Sequence, residues 1–411
     1  MPPEDRYFQV DPQGNLLVPA ALAERFGLQP GAKVRFDEGP GGLLLRRPVG
    51  HLARVYIEPT TQCNLECRTC IRNAWSEPQG RMSETTFRRI LEGLRDFRPM
   101  PLVFFGGFGE PLTHPDIFRM VREAKQLGAV VELITNGTLL DERVTQALLE
   151  LQLDTLWVSV DGAADCGHAG AAAASGLNGV LGNLQQLQRQ KIELSLKKPQ
   201  LGLAFVAMTG NAEEFPELLQ WALRHRIKKL SVSNVLPHTD EMREQILYRR
   251  CLYNIDYGAE VELPRLDCDA STLKLISAVL REDAVPRFEE QVSQRRRDSC
   301  PFVQKGSASI RWDGEVSPCL PLLHAHESFL GDRKRRVEAY SVGNLEGRSL
   351  KAVWEDPAYV SLRTRLLEFD FSPCSWCNSC DFPDSNREDC FGSPAPTCGG
   401  CLWAQGFIRC P

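Results

Sequence analysis

The chain has 411 residues, 48 Lys and Arg against 53 Asp and Glu, a formal net charge of −5, and hydrophobic and charged fractions of 43% and 25%. At about 150 residues per domain the length points to two or three domains, and the composition excludes a disordered chain and a collagen-like or coiled-coil fibre. No apolar run reaches the roughly 18 residues of a membrane span, the opening MPPEDRYFQV is not a secretory signal, and the mild acidity argues against broad nucleic-acid binding, so a cytoplasmic protein is expected.

Residues 1–50 read as a unit of their own. Phe8, Val10 and Leu16 to Val18 flank Asp11-Pro12-Gln13-Gly14-Asn15, a strand–turn–strand signal. Pro19 to Phe26 reads as a short helix with Pro in its first turn and Gly27 past its end. Pro30-Gly31 then turns into a strand over Lys33 to Phe36, Glu38 to Gly42 is a second turn, and Leu43 to Leu45 a last strand. VDPQGNLLVPAALAERFGLQPGAKVRF, from Val10, resembles the AbrB family of swapped-hairpin domains. Two copies interlock in that family, so the resemblance implies a homodimer. A dimerisation or docking module is expected rather than DNA binding, because the charge of the unit is nearly balanced.

From Arg54 to about Asn234, strand and helix patterns alternate. Strands are expected at Val55–Glu58, Leu102–Phe105, Val130–Thr135, Thr155–Val160, Leu201–Ala207 and Leu230–Ser233, with helices near 84–98, 115–128, 141–151, 178–190 and 212–226. Such alternation makes a parallel sheet with crossover helices. Six units are fewer than the eight of a closed barrel, so the expected α/β fold is a partial (β/α)6 TIM-like barrel over 51–290, with its site at the C-terminal ends of the strands. Helical stretches are also expected at Asp240–Tyr248 and Leu273–Glu282, and an exposed connector at Val292–Asp298. Residues 291–411 form a third, cysteine-rich domain.

Fifteen cysteines are unevenly placed: Cys63, Cys67 and Cys70 in one tight set, nine from Cys300 to Cys410, and Cys166, Cys251 and Cys268 apart. Grouping of this kind in a long chain without an export signal indicates metal or cluster ligation, not a disulfide framework. Three thiolates on the loop after the first strand can hold three irons of a 4Fe–4S cluster and leave the fourth open. A zinc site wants four ligands in paired sets, which CxxxCxxC does not supply.

The cysteine loop is followed by further signals at successive strand ends: Phe104-Phe105-Gly106-Gly107-Phe108-Gly109-Glu110-Pro111, Ile134-Thr135-Asn136-Gly137, Ser159-Val160-Asp161-Gly162 and Ser233-Asn234-Val235-Leu236-Pro237. Each alone is a common turn; their placement after successive strands is not. Together with the cysteine loop they resemble the radical S-adenosylmethionine (SAM) superfamily, over roughly residues 54–290. The resemblance implies a SAM-binding 4Fe–4S cluster on Cys63, Cys67 and Cys70. It implies SAM contacts from Glu110, Asn136, Ser159, Asp161 and Asn234, with backbone from Gly106, Gly107 and Gly109. Phe108-Gly109 is an insertion relative to the superfamily's Gly-Gly-Glu-Pro element.

The C-terminal set comprises Cys300, Gly314-x4-Cys319, Cys374, Cys377, Cys380, Cys390, Cys398, Cys401 and Cys410. It resembles a SPASM domain, which implies one or two auxiliary 4Fe–4S clusters; the spacing after Cys377 departs from that pattern and leaves the partition of ligands open. A zinc knuckle from Cys374, Cys377, Cys398 and Cys401 is the alternative. CGGCLWAQGFIRCP, from Cys398, and the AbrB-like head resemble the maturases of tungsten-cofactor oxidoreductases. An anaerobic enzyme is implied, acting on a partner protein or its tungstopterin and drawing electrons from a ferredoxin or flavodoxin. Maturation of a ribosomal peptide is the alternative within enzymes, and an iron–sulfur DNA-binding regulator the alternative outside them.

Several residues are given bland roles. Glu66, Arg68 and Arg72 are expected to be solvated loop charges, His114 to pack at a helix start, and His324 and His326 to lie at the surface rather than ligate iron. Arg333-Lys334-Arg335-Arg336 is expected to be an exposed loop, and Cys166 an incidental thiol near the mouth of the site.

Overall fold

The computed structural model describes residues 7–39, 42–75, 77–160, 166–167, 177–249, 260–263, 272–273, 277, 285–288, 300–375, 377 and 379–411. Asp161, Cys251, Cys268, the alanine run 169–174 and the segment 292–298 lie outside these residues.

The N-terminal unit begins with β1 (Gln9–Val10) and β2 (Leu16–Leu17), paired antiparallel around a turn in which Asp11 accepts the Gln13 and Asn15 N–H groups. Helix α1 (Ala20–Phe26) follows, closed by Gly27 at φ 67°. The next strand forms later than expected: β3 is Phe36–Gly39, pairing with β4, Gly42–Leu45. No residue of α1 is buried, and Val10, Leu16, Leu17, Phe36, Leu43 and Leu44 are all exposed.

The central sheet begins with β5 (Arg54–Ile57), and the cysteine loop holds a two-residue strand, β6 (Glu66–Cys67). Then come α2 (Glu84–Leu94), β7 (Leu102–Phe105), α3 (Ile117–Gln126), β8 (Val131–Thr135), α4 (Glu142–Glu150) and β9 (Thr155–Ser159). The short β10 (Cys166–Gly167) pairs with β6, setting Cys166 opposite Cys67. After it come α5 (Leu177–Glu193), β11 (Gln200–Ala207), α6 (Phe215–Arg224) and β12 (Lys229–Asn234). All six expected strands are present, each within one residue of its expected start, and all pair in parallel with their neighbours. Helices α2, α3, α4 and α6 turn apolar faces inward: Phe87, Ile90 and Leu94 of α2 and Ile117, Met120 and Val121 of α3 pack on Val55, Val103 and Phe105.

Helix α7 (Asp240–Glu244) is shorter than expected, and β13 (Glu260–Leu263) pairs in parallel with β14 (Val285–Phe288). Of the expected helix at 273–282, the described residues 273 and 277 are helical.

The C-terminal lobe extends the same sheet. After α8 (Pro301–Gln304), β15 (Ser307–Ile310) lies parallel to β5, and β16 (Glu315–Ser317) continues it antiparallel. The hairpin of β17 (His326–Leu330) and β18 (Arg333–Val337) stands apart, β19 (Gly343–Asn344) closes the sheet edge, and α9 (Leu350–Trp354) and α10 (Pro357–Glu368) follow. The sheet order is β12-β11-β9-β8-β7-β5-β15-β16-β19. On one face, Arg54 of β5 and Lys229 of β12 both reach Glu132 of β8, at 2.9 and 3.9 Å. These convergent side chains line the inner face of a partial TIM barrel. Residues 407–411 cross that face: Asn234 Nδ2 donates to the Phe407 carbonyl at 2.8 Å and Arg54 Nη1 to the Pro411 carbonyl at 2.8 Å.

Candidate active site and cluster sites

Cys63, Cys67 and Cys70 sit on the loop after β5, at the C-terminal ends of the strands. The Leu65 N–H donates to Cys63 Sγ at 3.4 Å, and Arg72 Nε to Cys70 Sγ at 3.3 Å. Arg72 is not a solvated charge. It folds back from the turn after Cys70, and its other two nitrogens bond the carbonyls of Thr61 and Leu65 at 3.1 and 2.9 Å. Burial opposes its charge, but Cys70, Cys63 and Cys67 outweigh burial and raise its pKa. Burial raises the Cys63 thiol, with the Leu65 N–H and Arg72 acting the other way. N–H donors and a guanidinium aimed at sulfur suit thiolates that ligate metal, so the loop fits the cluster its spacing implies.

The Gly-rich segment after β7 explains its own insertion. Gly107 adopts φ 142° and packs against Glu58, whose side chain a Cβ would meet at 2.7 Å. Gly109 lies against the backbone of Thr60 and Gln62, where no side chain fits. That approach lets the Glu110 N–H bond the Gln62 carbonyl at 2.8 Å, so the extra Phe108-Gly109 step locks the segment to the cysteine loop. Phe108 turns its ring against Trp75 and His324.

Glu110 is buried, with Oε1 accepting the Leu112 N–H at 2.9 Å and Oε2 the Asn136 N–H at 2.7 Å. Burial pushes its carboxyl up to about 7, against the pull of those N–H groups. Asn136 joins Glu110 to the cluster loop: its Nδ2 donates to Asn64 Oδ1 at 2.9 Å and lies 3.8 Å from Cys63 Sγ. Cys63, Glu110 and Asn136 therefore converge. Ser159 ends β9, and Asp161 lies outside the described residues. The Asn234 amide bonds Phe407 in the C-terminal tail and not a residue of the Cys63 group.

His324 and His326 are buried, not at the surface. His324 Nε2 meets Glu58 Oε2 at 2.8 Å and its Nδ1 meets Glu77 Oε2 at 2.6 Å. Glu58 Oε1 accepts the Phe108 N–H at 3.1 Å, and Glu77 accepts the Ala325 N–H at 2.9 Å and pairs with Arg311 at 3.5 Å. Trp75 packs against the imidazole in a tilted arrangement, with ring centroids 4.2 Å apart. Burial lowers the His324 pKa, but Glu58 and Glu77 overcome it and the net shift is upward. His114 is buried as expected, holding the Met82 carbonyl at 3.0 Å.

In the C-terminal lobe Cys300, Cys319, Cys398 and Cys401 line one cavity. Cys374 and Cys377 are not among its lining residues, so the two Cys-x-x-Cys pairs of the zinc alternative do not meet there. Cys374 Sγ lies 3.0 Å from Ser372 Oγ and feels Cys390, while the Cys410 carbonyl accepts from Lys305 Nζ at 3.3 Å. Among the described residues no three His, Cys, Asp or Glu side chains close on a single ion. A 4Fe–4S cluster instead has its thiolates around a box of atoms, which is what a cavity lined by cysteines provides. The basic run at Arg333–Arg336 is strand β18, not a loop, and turns Arg335 inward. Period-two alternation was available to reveal this, but four consecutive basic residues masked it. No sequence pattern marks Glu58 or Glu77, whose partner His324 comes from a distant segment, or Arg72, which folds back on its own loop.

A model of the radical SAM superfamily matches residues 57–248, and one of the SPASM iron–sulfur cluster-binding domain matches 300–381. The chain is 31% identical over 369 residues, 87% of its length and 96% of the relative's, to the tungsten-containing aldehyde ferredoxin oxidoreductase cofactor-modifying protein of Pyrococcus furiosus. It is 23% identical over 368 residues, 84% of each chain, to the Fe-coproporphyrin III synthase of Methanosarcina barkeri. In fold it resembles Streptococcus suis SuiB bound to S-adenosylmethionine, with a TM-score of 0.50 and 17% identity over 82% of this chain and 72% of that one. The chain belongs to the radical SAM superfamily and carries a SPASM domain, and within the superfamily it belongs with the Pyrococcus cofactor-modifying protein. It is an iron–sulfur, SAM-dependent enzyme. Among the described residues, no helix is long and apolar enough to cross a membrane.

The buried histidine generates a prediction. His324 has a raised pKa, so its ion pairs contribute fully below the ordinary imidazole value of 6.5 and are lost as pH rises through the raised value. His324→Gln leaves Glu58 buried without its cation and is expected to cost about 3–5 kcal/mol near pH 6. Denaturant unfolding of both proteins at pH 6 and pH 9 checks this: the gap should narrow at the higher pH, and an equal gap at both would show that the pair is not ionic.

Proposed function

We propose that this enzyme matures a tungsten-containing oxidoreductase by modifying its tungstopterin cofactor. The observation that carries the reading is 31% identity to the Pyrococcus cofactor-modifying protein over 87% of this chain and 96% of that one. Similarity to an Fe-coproporphyrin III synthase goes with a cofactor as the modified group, and similarity to PqqA peptide cyclases goes with the ribosomal-peptide alternative.

In this reading Cys63, Cys67 and Cys70 hold the SAM-binding cluster, and Arg72 and Asn136 approach its sulfurs. When bound, the cluster supplies the electron that cleaves SAM to methionine and a deoxyadenosyl radical, which takes a hydrogen atom from the substrate. The protein's own work is positional. Glu110, with Gly106, Gly107 and Gly109 supplying close backbone, faces the SAM ammonium group, and Ser159, Asp161 and Asn234 complete the pocket. Trp75, Phe108 and His324 close one side against water. A ferredoxin or flavodoxin supplies electrons. Exposed apolar side chains at Val10, Leu16, Phe36 and Leu43 support a homodimer through the N-terminal unit, which sedimentation of the full chain would show as twice the chain mass.

Two outcomes follow. An ammonium ion binds the ionised form of Glu110, whose pKa is pushed up to about 7. SAM affinity should therefore weaken roughly tenfold between pH 8 and pH 6, and Glu110→Gln should bind weakly with no such dependence; a flat wild-type profile would remove Glu110 from the ammonium site. For the substrate, the reduced enzyme with SAM is mixed with a tungsten oxidoreductase produced without its maturase. Mass spectrometry of the released pterin should show a SAM-dependent mass change and oxidoreductase activity should appear. An unchanged pterin, with a modified neighbouring peptide instead, would favour the ribosomal-peptide alternative.

A further inference from the structure

Strand β18 exposes Lys334 and Arg336 and buries Arg335, which is 6% exposed. A guanidinium at that depth needs acceptors for five N–H groups. Arg335 finds the Gly400 carbonyl through Nη1 and the Ser385 carbonyl at 3.4 Å through Nη2, and its Nε has no partner. Gly400 packs closely on the guanidinium, so that a Cβ there would meet Nη1 at 2.5 Å and the arginine would have to shift.

Arg335 lines the cavity it shares with Cys300, Cys319, Cys398 and Cys401, and no carboxylate is among the described lining residues. The groups that favour its charge against burial are Cys401, Cys374 and Cys398, ahead of Asp384, which is itself bonded by Arg333 at 3.0 Å. A buried cation with a spare N–H, in a cavity lined by four cysteines and no described carboxylate, has no anion of its own, since Asp384 is bonded by Arg333.

We propose that Arg335 is the buried counter-cation of an auxiliary iron–sulfur cluster whose four ligands are Cys300, Cys319, Cys398 and Cys401. Four thiolates occupy every iron of a 4Fe–4S cluster, so this one has no open position for substrate and serves electron transfer. Tail residues Cys398 and Cys401 complete a site begun nearly a hundred residues earlier. A cation donating N–H groups to cluster sulfur favours the more negative, reduced state and raises the reduction potential.

The inference rests on reading this lobe as cluster-binding, and the test separates the two. In a full-length Cys63/Cys67/Cys70→Ala background, reconstituted protein should retain iron and show a reduced-cluster paramagnetic resonance signal that Cys398→Ser with Cys401→Ser removes. Absence of iron would overturn both the reading and the proposal. With iron present, Arg335→Met should lower the midpoint of that signal by at least tenfold in the one-electron equilibrium, about 59 mV, and Arg335→Lys should recover part of the shift. Arg335→Met should also raise the melting temperature of the iron-free protein, because it removes an unpaired buried charge; a hydrogen-bonding strut between Gly400 and Ser385 would do the opposite. Nitrogen hyperfine coupling from 15N-arginine to the reduced cluster, measured with Arg335 in place, decides the matter even if the methionine variant fails to fold. An unshifted midpoint, or no coupling in the unsubstituted side chain, would overturn the role of Arg335.

Discussion

A carboxylate buried at the end of the first barrel strand must be satisfied from both sides, and Glu58 is so placed, at 0% exposure. One oxygen takes the Phe108 N–H from the Gly-rich segment, and the other takes His324 from the C-terminal lobe. Removing either partner leaves a buried charge uncompensated, so the two segments are tied to one group. Glu77, Ala325 and Arg311 extend the tie, and Trp75 and Phe108 pack around it. The barrel and the cysteine-rich lobe meet at this point, beside the loop that carries Cys63, Cys67 and Cys70.

The sheet makes the same connection through the backbone. Because β15 pairs in parallel with β5, the strand that delivers the cysteine loop is central, not an edge. The C-terminal tail then crosses to Arg54 and Asn234 on the inner face. Tail, lobe and barrel thus share the strands that position the candidate site, and the cysteines at 398 and 401 are drawn toward those at 300 and 319.

The barrel was legible because its signals are local. Apolar runs bounded by turns marked β5, β7, β8, β9, β11 and β12, though not the two-residue β6 and β10, and amphipathic spacing marked the helices between them. The cysteine loop and the convergence of Glu110 with Asn136 were legible because chemistry and position coincide at strand ends. What escaped the sequence depends on how distant or neighbouring segments pack against one another. His324 looked like a surface residue because Glu58 and Glu77 lie more than 240 positions away. Arg72 looked solvated because its acceptors are backbone carbonyls of a fold-back turn. Arg335 lay hidden in a basic run whose strand character depends on pairing with β17. The β3 strand begins late because its ladder with β4 runs only from Phe36 opposite Leu45, although the Arg46 N–H still bonds the Arg35 carbonyl at 2.7 Å.

In the proposed function the three cysteines after β5, with the Glu110 and Asn136 pocket, make a site for reductive cleavage of SAM. Its most direct measurement is 5′-deoxyadenosine formed after anaerobic reconstitution, with dithionite and SAM, in the wild type and in the Cys63/Cys67/Cys70→Ala variant. The account predicts product from the wild type alone. A wild-type protein whose first cluster is spectroscopically intact, yet forms no 5′-deoxyadenosine with or without the tungsten oxidoreductase present, would contradict it.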